Sequence, residues 1–146
     1  MLPKEKLKNT AYEKIEEFLR QVKRLRLKLV VLFGSYARGD FTEESDIDVC
    51  VVAEDLPENV FERRSLSGLY RVSGLRVVGY FPEEFLKELE KPNFFLHDVL
   101  EEGLILNHDE SFLKSVMEKR EAVKKKLGLV KEHDGWRILK KGNLGL

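Results

Sequence analysis

The stretch Leu27-Lys28-Leu29-Val30-Val31-Leu32-Phe33-Gly34-Ser35-Tyr36-Ala37-Arg38-Gly39-Asp40, continued by Ser45-Asp46-Ile47-Asp48-Val49, joins two apolar runs through a polar turn. The first run, Leu27 to Phe33, predicts a strand buried on both faces and ended by Gly34. The second, Asp46 to Val52, alternates. It puts Asp46, Asp48 and Cys50 on one face and Ile47, Val49 and Val51 on the other. A glycine closing a buried strand lets another group approach the backbone, and the amides of the following turn can face a phosphate, with the Ser35 hydroxyl as a further donor. Two carboxylates at alternate strand positions project side by side and repel each other unless a cation lies between them. That suits a hard divalent ion bridging to polyphosphate oxygens. The bland alternative for the same residues is a strand-ending turn and a solvent-facing strand.

Working outward, apolar residues at Leu7, Ala11, Ile15, Phe18, Leu19, Val22 and Leu25 predict an amphipathic helix over residues 3 to 26, with Pro3 at its start. A helix is expected after Pro57 through Leu69 or Tyr70, then a third strand from Leu75 to Phe81. Pro82-Glu83-Glu84 opens another helix, with carboxylates against the positive end of the dipole. Asn93 to Glu102 predicts a helix stopped by Gly103, and Leu104 to Leu106 an edge strand. Asp109 to Leu127 predicts a Lys-rich helix closed by Gly128. These elements make an α/β (α+β) fold, a mixed sheet of three to five strands flanked by helices. Residues 1–108 form the main domain, and a helical extension over 109–146 packs on or beside it.

The 146 residues carry 26 basic and 26 acidic side chains, a balance unlike that of a nucleic-acid coat protein. Nucleic acid is therefore not the expected partner, although a local patch is allowed. The neutrality is a sum of opposed blocks: residues 40–62 hold nine acids and no base, while residues 63–82 hold four arginines and no acid. One Cys gives no intrachain disulfide, the N-terminus with Lys4, Glu5, Lys6 and Lys8 lacks the apolar core of a signal peptide, and no apolar run is long enough to span a membrane. The expectation is a cytoplasmic protein. Abundant Lys and Glu with a single Gln and two Met fit a thermophilic source.

Gly34-Ser35, ten residues, then Asp46-Ile47-Asp48, together with Ala37-Arg38-Gly39 and Ser45, resembles the minimal nucleotidyltransferases of the superfamily that includes DNA polymerase β. The resemblance implies the nucleotidyltransferase fold. It also implies transfer of an NMP from an NTP, expected to be ATP, to a hydroxyl on a protein or small molecule. Asp46 and Asp48 would be the catalytic pair and would bind Mg²⁺, or Mn²⁺ in its place. Gly34 and Ser35 would hold the β- and γ-phosphates, and Arg38 would neutralise phosphate charge unless it pairs with Asp40 or Glu43. The family also implies a small helical partner protein encoded nearby, in an antitoxin-like pairing; a homodimer is left open. One departure stands out. Family members carry a third carboxylate on the next core strand, and Leu75 to Phe81 has none; counting back from Pro82, the place falls near Val78. The alternative is thus a catalytically silent nucleotide- or partner-binding module.

Other residues read as structural. Cys50 is expected to be a buried packing thiol, and His97, His108 and His133 lack metal-ligand spacing. Phe94 and Phe95 with Val99 and Leu100 are read as a helix core face. The basic run Lys124-Lys125-Lys126 with Lys131, Arg137, Lys140 and Lys141 is a solvated face or a patch for an acidic partner. Trp136 either anchors the extension or sits in an oligomer interface.

Overall fold

The computed structural model describes residues 3–133 and 135–138. Leu139, Lys140 and Lys141 lie outside the described residues. The chain runs α1 (Lys4–Val22), β1 (Leu27–Phe33), α2 (Ser35–Arg38), β2 (Ile47–Ala53), α3 (Val60–Ser65) and β3 (Leu75–Tyr80). It continues through α4 (Pro82–Glu90), α5 (Phe94–Glu102), β4 (Leu104–His108), α6 (Glu110–Leu127), β5 (Leu129–Glu132) and β6 (Gly135–Ile138). A four-stranded mixed sheet has the order β3-β2-β1-β4. β1 is antiparallel to both β2 and β4, and β2 is parallel to β3.

The unbroken apolar run of β1 follows from its central position. Val30 and Leu32 face a core closed by Ala11, Ile15, Phe18 and Val22 of α1. Leu29 and Val31 face a second core closed by Phe85 and Leu89 of α4, Leu96 and Val99 of α5, and Phe112 and Val116 of α6. Strand β2 is buried along its whole length, so its alternation separates two apolar layers. Val49 and Val51 belong to the first, Cys50 and Val52 to the second. Because α6 fills the second layer together with α4 and α5, the core runs without a break past residue 108.

Several helix ends match their sequence signals. The Asn93 side chain accepts the Leu96 amide, and the Asp109 carboxylate accepts the Phe112 amide; Gly128 ends α6 in the left-handed region. The helix after Pro57 is shorter than its sequence suggests. It ends because Leu66 takes a left-handed conformation, φ 53°, that sends its fully buried side chain into the core. Beyond α6 the chain forms the hairpin β5–β6, an element added to the expected helical extension.

Candidate active site

At the end of β1, Gly34 has φ 75° and ψ −155°, a backbone region that is essentially glycine-only. The short helix α2 starts there, its Ala37 and Arg38 amides donating to the Gly34 carbonyl at 3.0 Å each. The amides at the start of such a turn have no intrahelical acceptor and stay available to a ligand. Antiparallel pairing of Phe33 with Asp48 brings the second strand's carboxylate against this turn. The approach is so close that a Cβ on Gly34 would stand 2.3 Å from Asp48 Oδ2. The glycine is therefore required twice, once by its dihedrals and once by the carboxylate beside it.

Asp46 sits just before β2 on a tight turn in which the Thr42 amide donates to Ser45 Oγ at 2.9 Å and the Ser45 amide to the Thr42 carbonyl at 3.1 Å. Its side chain is half exposed, whereas that of Asp48 is only 9% exposed. The sequence therefore brings Gly34, Ser35, Asp46, Asp48 and Arg38 to one cleft of about 470 Å³. Arg38 pairs with Asp40 at 3.3 Å and, across the cleft, with Glu102 at 3.4 Å. These contacts, led by the hydrogen bond to Asp40, raise its pKa further above the ordinary arginine value.

Arg76 completes the cleft, and the sequence reading did not pick it out. Its Nε donates to Asp48 Oδ1 at 2.7 Å, and its Nη1 lies 3.7 Å from Asp46 Oδ2. The hydrogen bond to Asp48 is the largest cause of an upward shift in its own pKa. In the parallel register, Asp48 pairs with Arg76, and Val78 pairs with Cys50 two residues further into the sheet. The sheet position beside Asp48 thus holds a guanidinium. Among the described residues no cluster of three or more His, Cys, Asp or Glu is disposed to hold a metal ion. Two aspartate oxygen donors remain, a set that fits Mg²⁺, which is commonly bound by one or two carboxylates plus substrate phosphates and water.

The far wall comes from α5, where Phe95, Asp98, Val99 and Glu102 line the cleft. Their spacing of three and four residues marks one helix face, a signal that was in the sequence. Phe94 and Phe95 are 39% and 43% exposed, so neither belongs to the buried face expected of them. Phe95 instead stands edge-on to Phe33, ring centroids 5.4 Å apart. Core packing on α5 is carried by Leu96, His97 and Val99.

The hairpin closes over the same helix. Trp136 Nε1 donates to Asp98 Oδ1 at 2.6 Å, and Lys131 Nζ lies 2.5 Å from the same oxygen. Trp136 is therefore an anchor of the extension on the core. Its ring meets the fully buried His97 edge-on, centroids 5.8 Å apart, and neither nitrogen of His97 has a geometrically acceptable hydrogen-bond partner. Burial pushes the His97 pKa down. His108 and His133 are exposed. Cys50 is fully buried and its thiol pushed up to about 12 by that burial. In the basic run, Lys124 and Lys131 face acids on α5, and Arg137 pairs with Glu132.

A family model described as a nucleotidyltransferase domain matches residues 13–129. A Methanocaldococcus jannaschii protein named "Putative protein adenylyltransferase" is 38% identical over 96 residues, covering 63% of this chain and 93% of the relative. A second protein of that organism, named the same way, is 28% identical over 135 residues, covering 85% and 91%. Among solved structures, one described as a toxin-antitoxin with AMP-PNP covers 80% of this chain and 89% of its own, with TM-score 0.51 and 20% identity. At that identity the likeness is one of fold.

Proposed function

This chain belongs to the nucleotidyltransferase domain family and is a transferase, and we propose that it moves AMP from ATP to a hydroxyl group on an acceptor protein. The observation that carries the reading is the meeting of the Gly34-Ser35 turn with Asp46 and Asp48 in one cleft, enforced by the Phe33–Asp48 register. The protein acceptor rests on the names of the two relatives. A partner protein is in keeping with the toxin-antitoxin assembly of the neighbour of like fold, and its being small and helical rests on the family resemblance alone.

In the reaction, the acceptor oxygen attacks the α-phosphorus and the new P–O bond forms as the bond to the β-phosphate bridging oxygen breaks. Pyrophosphate leaves, and the acceptor's proton passes to solvent. Gly34 and Ser35 position the β- and γ-phosphates by backbone amides and the hydroxyl. Asp46 and Asp48 would hold a divalent cation, Mg²⁺ or Mn²⁺, which supplies charge neutralisation at the phosphate oxygens. Arg38 and Arg76 are the cleft's own positive charges, and the exposed Phe95 gives it an apolar wall.

Incubation with α-labelled ATP, Mg²⁺ or Mn²⁺ and an extract of the source organism tests this, with excess unlabelled CTP, GTP and UTP as competitors. Label in a protein band, undiminished by the competitors and absent with Asp46→Ala plus Asp48→Ala, is the expected result. Label confined to the small-molecule fraction would replace the acceptor class. Nucleotide binding with no transfer at all would leave a silent binding module.

A further inference from the structure

The transfer step just described uses the arginine facing the paired aspartates only as a positive charge in the cleft. Arg76 stands in β3 directly across from Asp48, and its guanidinium reaches both carboxylates, at 2.7 Å and 3.7 Å. Among the described residues it makes no other ion pair, and its side chain is 71% exposed. The group is therefore held by charge and can leave without disturbing the core. Asp48 is the opposite case, with its side chain 9% exposed beside the glycine turn. A carboxylate pair with one member buried and no cation is costly, because the two charges repel each other and Asp48 has lost most of its water. Arg76 supplies the missing positive charge from within the chain.

Resting on the reading that Asp46 and Asp48 hold a divalent ion, we propose that Arg76 is a resident counter-ion that the incoming metal must displace. It thereby sets the metal concentration at which the site loads. The exchange conserves charge compensation at the carboxylates. It also releases a guanidinium at the rim of the cleft, where the phosphates of a metal–nucleotide complex can take it up as a new partner. Free metal has to compete with the arginine alone, whereas metal arriving with a polyphosphate brings the arginine a replacement acceptor. The site is thus biased toward loading metal and nucleotide together.

The test is a calorimetric Mn²⁺ titration of the full chain without nucleotide, repeated with AMP-PNP present. The wild type is compared with Arg76→Gln, Arg76→Lys and the double variant Asp46→Asn plus Asp48→Asn. Arg76→Gln is expected to bind nucleotide-free Mn²⁺ about tenfold more tightly than wild type, the scale of losing a charged hydrogen bond that competes for the ligand. Arg76→Lys should stay within about threefold of wild type, because it keeps the charge. The Mn²⁺-induced rise in Tm should likewise be larger for Arg76→Gln, which also verifies that the variant is folded. Equal or weaker Mn²⁺ binding by folded Arg76→Gln overturns the inference while leaving the aspartate pair as a metal site. If neither wild type nor Arg76→Gln binds Mn²⁺ differently from the double Asn variant, the metal site fails and the inference with it.

Discussion

Replacing Gly34 by alanine separates the backbone demand of the turn from its contact with the carboxylate. The added Cβ would lie 2.3 Å from Asp48 Oδ2 and 3.1 Å from its Cγ. To regain ordinary contact the carboxylate must retreat by about 1 Å, against the Arg76 hydrogen bond and the surrounding packing. Alanine at φ 75°, ψ −155° adds backbone strain of about 1–3 kcal/mol. The combined loss is about 3 kcal/mol, which for a chain of this size lowers Tm by roughly 10 °C. Transfer should fall by at least about 100-fold, because a misplacement of this size at the reacting centre has that scale of effect. Gly39→Ala is the control: Gly39 also has positive φ, 95°, but its Cβ would meet nothing within 4 Å. That variant should lose about 1 kcal/mol and keep its activity. Calorimetry gives Tm, and label transfer from α-labelled ATP gives the rate. Gly34→Ala as stable and as active as Gly39→Ala would refute the argument that Asp48 is seated against the turn.

Burial raises the pKa of Glu84, but hydrogen bonds from Arg63, Arg64 and the Phe81 amide outweigh it and hold the carboxyl at about 2. Against an ordinary value of 4.5 this favours the folded state, an effect fully present above about pH 4.5 and lost as pH falls toward 2. Urea unfolding of Glu84→Gln against pH should show that acid dependence flattened; an unchanged slope rules the network out as its source. The sole tryptophan, Trp136, reports on His97. Burial, then Arg120 and Lys124, lower the His97 pKa, opposed by its backbone contact at Leu89 and by Asp98. The stability it contributes is complete above its ordinary value of 6.5 and declines as pH drops below it. Trp136 emission should therefore shift to the red on acidification through that range, and the step should vanish in His97→Phe; a step that persists assigns it to another group. Cys50, buried and with its thiol pushed up to about 12, should react with a disulfide reagent only as fast as the protein unfolds. Rapid labelling of the native chain contradicts its burial.

Much of this architecture was legible because local signals and tertiary demands agree. The run Leu27 to Phe33 reads as a central strand because each face meets its own apolar layer, and Asn93, Asp109 and Gly128 mark helix ends by their side chains or glycine. Gly34, Ser35, Asp46 and Asp48 could be singled out because their spacing is fixed by one turn between paired strands. Arg76 could not. Its place beside Asp48 depends on the register of two parallel strands 28 residues apart, which no local pattern states. Val78, the place reached by counting back from Pro82, packs against the second core layer beside Cys50. The end of α3 was misjudged for a similar reason, since only the core shows that Leu66 turns inward through a left-handed conformation.

In the proposed function, the aspartate pair beside the Gly34-Ser35 turn directs attack on the α-phosphorus of a nucleotide. Parallel reactions with ATP labelled at the α- or the γ-phosphate test it most directly, run with wild type and with Asp48→Asn at matched nucleotide occupancy. Acceptor label is expected from α-labelled ATP only, with γ-label recovered as pyrophosphate and transfer reduced by at least about 1000-fold in Asp48→Asn. Acceptor label from the γ-phosphate, or full transfer by Asp48→Asn, would contradict it.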